Sequence, residues 1–367
     1  MSINQIIMYI MAGGVILGGV DRILGNKYGY GEKFENGFRL LGPVGLSMAG
    51  IICLAPLLSV GLGGVIRPLC AALNMDPGIF GSILAIDMGG YQLAMDLTEN
   101  PEIGRFSAVI VSSIFGCTVV FTIPVGLGAI TEEDRPYFTR GILLGFMTMP
   151  FSILTGALML KMNLIFVFWN CLPVLLISLV LAIGVITKPD AMMKGFQSFA
   201  RIIKMVCTLG LIAAAVSHLT GITFISAMPS LLEAMETVSS ICIVMLGSMP
   251  LAELVQRIMK VPFAKIREKT GLNGVSTTAL ILGMVSTTPA LAMIPEMDKR
   301  GKVLCSACLV SYVGLFSAHL AFAMRFEPEM IPALLVSKAV GAVLGGAIAI
   351  FTTRNLKNEM AESEFPA

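Results

Sequence analysis

An aspartate followed by two glycines interrupts an apolar stretch early in the chain. The interruption contains Asp87, Gly89, Gly90, Tyr91 and Gln92. Glycine lets a backbone approach a ligand closely, a tyrosine ring can face an ammonium, and an amide can bind a hydroxyl. A carboxylate inside a membrane-spanning segment costs about 2.5–3.5 kcal/mol, so a functional role is the first hypothesis. The group predicts a site for a small cation with Asp87 as counter-ion; the alternative is that Asp87 only caps the next half-helix.

A second polar interruption lies in the C-terminal half of the chain. Ser286, Thr287 and Thr288 stand directly before Pro289 in another apolar run. Proline removes a backbone donor and restricts the residue before it, so a helix should break here. The next half-helix would begin with its positive dipole end, and hydroxyls with free carbonyls suit an alcohol or a coupling cation. We therefore predict that these hydroxyls line the substrate site.

Three more ionisable residues lie within predicted spanning helices. Glu253 could face the site, although Arg257, four residues later, could neutralise it instead. His319 could relay protons near physiological pH or serve only in packing. Lys338 is expected to extend its long side chain toward the interface and receives no role. The predicted substrate-binding set therefore includes Glu253 and His319.

Each interruption divides its apolar segment into arms that are too short to cross a bilayer. The segments are 77–97 and 273–294. An arm of roughly ten residues is about 15 Å of helix, half of a hydrocarbon core about 30 Å thick. Both segments are therefore predicted to be re-entrant or discontinuous hairpins with tips near the midplane. Broken backbone is tolerated there only inside protein or beside a polar cavity.

The composition identifies a polytopic membrane protein of the all-α class. Of the 367 residues, 56% are hydrophobic and only 13% are charged, which a soluble domain could not bury. The net charge of +2 and the lack of a basic patch give no indication of nucleic-acid binding. The nine predicted spanning helices are 4–20, 39–61, 106–130, 137–160, 164–187, 201–226, 238–256, 303–324 and 331–352.

The distribution of lysine and arginine favours hairpins that turn back. In that case twenty of these residues lie on one side of the membrane and four, Arg67, Arg105, Lys161 and Arg325, on the other. If both segments cross instead, the two sums become nearly equal. Because cytoplasmic loops collect positive charge, we predict an external N-terminus and a cytoplasmic C-terminus in the cytoplasmic membrane.

Matching landmarks indicate an internal duplication. Pro56 pairs with Pro250, and Pro68 with Pro262, at nearly the offset that separates the two hairpins. A linking helix would start the second repeat from the opposite side, so the repeats would be inverted, as is characteristic of secondary transporters. The predicted units are 1–163 for repeat 1, 164–187 for the linking helix, 188–356 for repeat 2 and 357–367 for a cytoplasmic tail.

Sequence motifs of other function classes are absent or have simpler interpretations. No nucleophile elbow, P-loop, HExxH motif or dinucleotide fingerprint occurs in a supporting context, so we expect neither an enzyme nor a cofactor. Cys305 and Cys308 lack the further ligands that zinc needs, and we assign them to helix packing. Gly141 and Gly145 have the spacing of a close helix contact.

The chain resembles the ethanolamine permeases of bacterial ethanolamine-utilisation operons, the EutH family. The resemblance lies in INQIIMYIM and VDRIL at the start, LAIDMGGYQLAMDL at the first hairpin, and MDKRGKVL and HLAF after the second. One departure is that an acid often precedes the histidine in the family, whereas this chain has Ala318. The resemblance implies uptake of ethanolamine, which would feed a cytoplasmic lyase in a microcompartment.

The predicted function is a permease that moves protonated ethanolamine by alternating access, as a facilitator or coupled to protons or sodium. The residues alone indicate a small polar cation, since a primary amine with a pKa near that of lysine, about 10.4, is charged at neutral pH. Alternatives are an ion-coupled carrier of another amine or a nucleoside-like solute, an intramembrane enzyme using His319 with Asp87 or Glu253, and a membrane sensor. The expected partners are substrate and lipid bilayer, and homo-oligomerisation is left open.

Overall fold

The protein is built from helices that cross a membrane. The computed structural model describes residues 3–83, 90–222 and 228–356. Among these residues, eight helical segments are long and apolar enough to span a bilayer: Gln5–Ile23, Tyr30–Ala72, Pro101–Ala129, Arg135–Met159, Leu164–Thr187, Pro189–Thr220, Leu231–Lys265 and Pro328–Thr352. The chain is therefore an all-α, multi-pass membrane protein, as its composition predicts.

The helices follow the predicted order, with short helices at both hairpins. The N-terminal half contains α1 (Ile3–Ile23), α2 (Tyr30–Arg39), α3 (Leu41–Ala72), α4 (Ile79–Ile83), α5 (Gly90–Leu97), α6 (Pro101–Phe106), two π-helical segments (Ser107–Gly116 and Thr118–Thr122), α7 (Ile123–Ala129), α8 (Arg135–Met159) and α9 (Leu164–Thr187). The C-terminal half contains α10 (Pro189–Thr220), α11 (Leu231–Thr270), α12 (Gly274–Gly283), α13 (Thr287–Ala292), α14 (Lys299–Tyr312), α15 (Ala318–Phe326) and α16 (Ile331–Thr352).

The segment 303–324 is not the single continuous spanning helix that the sequence predicts. α14 ends at Tyr312 and α15 begins only at Ala318. Between them Val313 leaves the helical conformation and Gly314 has a φ of +65°, which glycine adopts without steric cost. The described chain therefore contains a broken helix where we expected a ninth span.

Both predicted hairpins contain pairs of short helices. α12 and α13 are separated by 284–286, directly beside the break predicted before Pro289. α4 and α5 flank residues 84–89, which lie outside the described residues together with Asp87 and Gly89. The break of the second hairpin is thus observed, and that of the first stays a prediction.

One carboxylate joins the two ends of the first hairpin. Asp76 accepts hydrogen bonds from the amides of Gly78, Glu99 and Asn100 and from the hydroxyl of Thr98, at 2.7–3.0 Å. These contacts satisfy amides that would otherwise lack partners at the ends of short helices. The chain therefore enters and leaves the first hairpin at the same place.

An aspartate closes the second hairpin in the same way. Asp298, the N-cap of α14, accepts from the Asn273 amide at 3.0 Å, the Ser276 hydroxyl at 2.6 Å and the Gly301 amide at 3.1 Å. Asn273 is itself the N-cap of α12. Side-chain caps of this kind stabilise helix starts by about 1 kcal/mol each. The segment 273–294 thus begins and ends beside one carboxylate.

The two hairpin bases lie at opposite ends of α8. Asp134, at the start of α8, forms a buried ion pair with Lys302, which follows the base of the second hairpin. At the other end, Leu160 lines a cleft together with Arg105, which follows the base of the first. α8 has 25 residues, or about 37 Å of helix, enough to cross a hydrocarbon core. This placement agrees with hairpins that enter from opposite sides, while the inverted symmetry remains a prediction.

α14 occupies the centre of the helix bundle. Its residues from 301 to 312 are all buried, against α8, α12 and α16. Gly141 and Gly145 of α8 leave no room for a Cβ atom against α14, which confirms the predicted close contact. Cys305 and Cys308 are free and buried in this core, consistent with packing positions. α1, α9 and α10 instead expose large apolar side chains, as helices in contact with lipid do.

Candidate functional site

The turn of the second hairpin packs against the break between α14 and α15. The Phe316 amide donates to the Met284 carbonyl at 3.2 Å, and the Ser317 hydroxyl donates to the Val285 carbonyl at 2.6 Å. These bonds satisfy backbone groups that an interrupted helix leaves without partners. Two interrupted helices therefore meet inside the protein.

The side chain of Lys338, on α16, reaches the break between α14 and α15. Its side chain is fully buried, and Nζ donates to the carbonyls of Ser113 and Val313 at 2.8 Å each and lies 3.4 Å from that of Ser311. The expectation that Lys338 reaches the interface is wrong. A buried ammonium needs hydrogen-bond acceptors in place of water, and the π-helical segment and the broken helix supply carbonyls for it.

The predicted residue His319 lies in direct contact with this lysine. His319 is buried near the start of α15, and its Nδ1 is 2.8 Å from the Val313 carbonyl and 3.3 Å from Lys338 Nζ. Which atom carries the proton depends on the tautomer. The break thus brings two bases within hydrogen-bond distance of each other deep in the protein.

The three predicted hydroxyls of the second hairpin do not share one environment. Ser286 has an extended backbone just before α13 and is partly buried, Thr287 is buried, and Thr288 is exposed. Ser286 and Thr287 adjoin the turn that contacts the helix break. Thr288 lies on the surface of the protein.

Tyr91 of the first hairpin makes a polar contact on the same side as the hairpin base, whereas the Gln92 amide donates to Asp96 at 2.9 Å. Gly90 and Tyr91 begin α5, and the Tyr91 hydroxyl donates to Glu327 at 2.8 Å. Glu327 also forms an ion pair with Arg105 at 3.6 Å. Tyr91 therefore ties the first hairpin, through Glu327, to the end of α15 and to the end of α6.

The ring of Tyr91 belongs to an aromatic cluster. Its centroid is 5.5 Å from that of Phe322 and 4.7 Å from that of Phe326, and the two phenylalanine rings are 4.5 Å apart. The cluster borders a small cavity lined by Met48, Ile52, Tyr91, Gln92, Thr237, Phe322 and Phe326. Aromatic faces attract ammonium groups, while an amide and a hydroxyl can bind a substrate hydroxyl. The lining thus combines aromatic rings with the Gln92 amide and the Thr237 hydroxyl.

Glu253 lies in a different part of the bundle. Its partners in the described chain are Arg257, at 2.9 Å, and Lys33 of α2, at 3.8 Å. This geometry favours the alternative that Arg257 neutralises the carboxylate. The structure thus groups Tyr91 with Gln92, and His319 with the turn at Ser286, but leaves Glu253 outside both groups.

Several residues of the site have no distinctive sequence signal. Phe322 and Phe326 are ordinary aromatic residues of an apolar helix, and Glu327 and Arg105 lie near predicted helix ends. Lys338 does have a sequence signal, because a charged residue within an apolar run indicates a functional role. Only the folded chain shows that its side chain turns inward.

Comparison with known proteins gives matches along nearly the whole chain. The profile of the family described as "Ethanolamine utilisation protein, EutH" matches residues 3–352. A "Probable ethanolamine permease EutH" from Listeria monocytogenes serotype 1/2a (strain 10403S) is 37% identical over 366 residues, covering 99% of this chain and 98% of that protein. A protein of the same name from Escherichia coli (strain K12) is 33% identical over 389 residues, covering 95% of each.

A third relative is the "Uncharacterized protein YxeR" of Bacillus subtilis (strain 168), which is 36% identical over 354 residues, covering 96% of each protein. No solved structure matches. The family profile and the relatives span the helices, both hairpins and the broken helix described above. The chain belongs to the EutH family of ethanolamine utilisation proteins.

Proposed function

We propose that this protein is a permease that moves protonated ethanolamine across the cytoplasmic membrane by alternating access. The names of the Listeria and Escherichia relatives support the substrate. The eight apolar helices of the described chain support the membrane setting. In this proposal the substrate site opens alternately to the two sides of the membrane, and the protein catalyses no chemical reaction.

The observation that carries the mechanism is the contact between the turn of the second hairpin and the break between α14 and α15. Secondary transporters bind solutes near the bilayer midplane, where discontinuous helices expose polar backbone groups. The hairpin bases at opposite ends of α8 favour a site that either side could reach. A rigid, continuous bundle would offer no such interrupted backbone.

The aromatic cluster is the part of the site that would receive the ammonium. A cation on aromatic rings gains about 0.5–2 kcal/mol, which is too little to desolvate an ammonium by itself. A carboxylate is therefore required, and we assign that role to Asp87, four residues before Tyr91 in the sequence. Gln92 and Thr237 in the cavity lining would bind the substrate hydroxyl.

The remaining predicted residues take supporting roles in this proposal. Gly89 and Gly90 would let the substrate approach the first hairpin, and Ser286 and Thr287 would line the opposite side. His319, at the helix break, would respond to the charge of the bound substrate.

The contact between Tyr91, Glu327 and Arg105 would close the site on the side of the first hairpin. It joins that hairpin to α15 and α6, so it must break before a solute passes between them. The cleft directly above it is lined by Glu102, Glu327 and Glu329 as well as Arg105. Three carboxylates beside one arginine favour the approach of a cation.

Uptake of labelled ethanolamine into proteoliposomes tests the proposal. The external pH must be low enough to suppress passive diffusion of the neutral amine. We expect uptake by the wild type, competition by unlabelled ethanolamine, and loss of uptake in Asp87→Asn. Asp190→Asn is the matched control, because that carboxylate is exposed and pairs with Arg135 at the protein surface.

Three results would contradict different parts of the proposal. No uptake above that of empty liposomes would refute the permease assignment. Equal uptake by wild type and Asp87→Asn would remove Asp87 from the site and leave transport itself standing. Stronger competition by a nucleoside than by ethanolamine would favour the alternative substrate class.

A further inference from the structure

The environment of Lys338 is that of a bound cation. Its ammonium is fully buried and is surrounded by the carbonyls of Ser113, Ser311 and Val313, which come from the π-helical segment 107–116 and from the broken end of α14. Backbone carbonyls freed by unwound helices are the ligands that transporters use for coupling ions. In this protein a side-chain ammonium occupies such a cage.

A lysine ammonium differs from a metal cation because it can lose its charge without leaving the site. His319 Nδ1 lies 3.3 Å from Lys338 Nζ, within reach of a shared proton. Buried lysines lose protons readily when a nearby positive charge opposes them. In the tautomer whose Nδ1 carries no proton, His319 is therefore a proton acceptor beside the cage.

Few other ionisable groups face this lysine from the elements packed on α16. α8 beyond Arg140 and the π-helical segment 107–116 carry no ionisable side chains. The other described neighbours carry Lys299, Arg300, Lys302, Cys305, Cys308 and Tyr312 on α14, His319 and Arg325 on α15, and Glu329 before α16. The Tyr312 hydroxyl donates to the Leu280 carbonyl, and the Cys308 thiol to the Ala342 carbonyl. Of these groups, His319 has a ring nitrogen within hydrogen-bond distance of Lys338 Nζ.

The lysine is also linked to the aromatic cluster. His319 and Phe322 are three residues apart on α15, a spacing that places them on one face of the helix. Phe322 packs on Tyr91 at the cavity. A cation bound at the cluster would therefore add positive charge near the Lys338 and His319 pair.

We propose that Lys338 is a proton-binding site through which substrate binding is coupled to proton release. This inference rests on the proposed function, because the ligand that displaces the proton is the ethanolammonium cation. An N–H bond of the Lys338 ammonium breaks, the electron pair stays on Nζ, and the proton leaves the interior for solvent, with His319 as the neighbouring base that can relay it. Net positive charge in the interior is then unchanged when substrate binds.

Calorimetry of ethanolamine binding to the full-length protein in detergent tests the inference. Titrations in buffers of different ionisation enthalpy give the number of protons released per substrate bound. Because ethanolamine stays protonated near neutral pH, it contributes none itself. We expect the wild type to release a measurable fraction of one proton. Lys338→Met and Lys338→Arg should bind while releasing none, since neither side chain can give up a proton.

Lys302→Arg is the matched control. Lys302 is also buried, but its partner is the carboxylate of Asp134, so the exchange keeps the charge and its ion pair. We expect this variant to release as many protons as the wild type. A purely structural role of Lys338 predicts the opposite pattern, in which Lys338→Arg matches the wild type in proton number.

If neither Lys338 variant folds or binds substrate, NMR spectroscopy of the lysine Nζ atoms tests the inference on the wild type. In wild-type protein with ¹⁵N-labelled lysine, a resonance should move to the neutral-amine range when ethanolamine is added. The absence of such a shift, or proton release that persists in both Lys338 variants, would overturn the inference. Wild-type binding and uptake without proton release would refute the inference alone. Absence of both binding and uptake would refute the proposed function with it.

Discussion

The charged residues in the interior of this protein are held by backbone groups as much as by opposite charges. Lys338 donates to carbonyls, whereas Asp76 and Asp298 accept from amides at the ends of short helices. Interrupted helices expose both kinds of backbone group, and each would be costly to leave without a partner away from water. Single side chains thus make the interruptions possible.

The first prediction at this scale concerns the aromatic ring of Tyr91. Tyr91→Ala should raise the KM for ethanolamine uptake about 2- to 30-fold, the loss expected for a cation on a ring worth about 0.5–2 kcal/mol. Tyr91→Phe keeps the ring and loses only the bond to Glu327, so it should have the smaller effect.

The concentration dependence of uptake measures both variants. Tyr9→Ala is the control, because that ring is exposed on α1 and lies outside the aromatic cluster. Equal increases in KM for the alanine and phenylalanine variants would show that the hydroxyl contact matters and that the ring does not bind the ammonium.

A second prediction concerns Gly314 in the break. Its φ of +65° costs other residues about 1–2 kcal/mol, and a Cβ atom there would lie 2.5 Å from Nδ1 of His319. Gly314→Ala should therefore lower the thermal unfolding temperature and reduce uptake. Gly61→Ala is the control, because Gly61 is helical and a Cβ atom there meets nothing within 4 Å. An unchanged unfolding temperature for Gly314→Ala would contradict the close packing of the break.

At the scale of the elements, the hairpins are short helices closed by carboxylates at their bases. Helices as short as α4, with 5 residues, and α13, with 6, are not stable alone in water. Their ends must therefore be fixed by the rest of the protein. Asp76 and Asp298 do this from opposite ends of α8.

Removal of the Asp76 carboxylate should weaken the first hairpin as a unit. Asp76→Ala leaves three amides without their acceptor, whereas the Thr98 hydroxyl keeps the Asn100 carbonyl, and each such amide costs about 1–3 kcal/mol if it stays buried. We expect the free energy of unfolding to fall by at least about 2 kcal/mol, measured by denaturant titration in detergent micelles. Asp190→Ala, at an exposed ion pair, should cost at most about 1 kcal/mol. Similar losses in the two variants would refute the closing role of Asp76.

Of the interruptions that the structure describes, the sequence allowed one to be predicted and concealed another. Hydroxyls before Pro289 mark the second hairpin because proline cannot continue a helix in the usual way. The break after Tyr312 has no proline, and Gly314 alone is tolerated in many helices at a cost of about 1 kcal/mol. Packing against the hairpin turn decides the conformation there, and packing is not visible in one sequence.

The candidate site shows the same division. Tyr91, Gln92 and His319 could be found because polar groups are rare in apolar segments. Phe322 and Phe326 could not be found in this way. The sequence pattern of a membrane helix is the same whether its aromatic residues face lipid, the protein core or a ligand. The buried position of Lys338 could not be predicted, because the carbonyls that take the place of water around its ammonium come from residues distant in the sequence.

For the molecule as a whole, the testable property is its topology in the membrane. Asn74 and Glu99 are exposed beside the base of the first hairpin, and Glu296 is exposed beside that of the second. In a background without native cysteines, Asn74→Cys and Glu99→Cys should both react with a membrane-impermeant thiol reagent on intact cells. Glu296→Cys should react only after permeabilisation.

This pattern follows if both hairpins turn back and the N-terminus is external. The eight native cysteines are free and buried, so their replacement by alanine should disturb the surface little. Labelling of Asn74→Cys and Glu99→Cys from opposite sides would show that the first segment crosses the membrane. Labelling of all three from one side would contradict the opposite placement of the hairpins.

The burial of α14 has a consequence for how the protein is made. α14 is a poor substrate for insertion into lipid by itself. It ends after 14 residues, and its start carries three positive charges, on Lys299, Arg300 and Lys302. We expect it to leave the translocon only together with partners, after α8 has been inserted and α16 has been synthesised. A chain truncated before α16 should therefore expose this helix and be recognised by membrane proteases. The helix that holds the centre of the finished transporter would be the last to find its place.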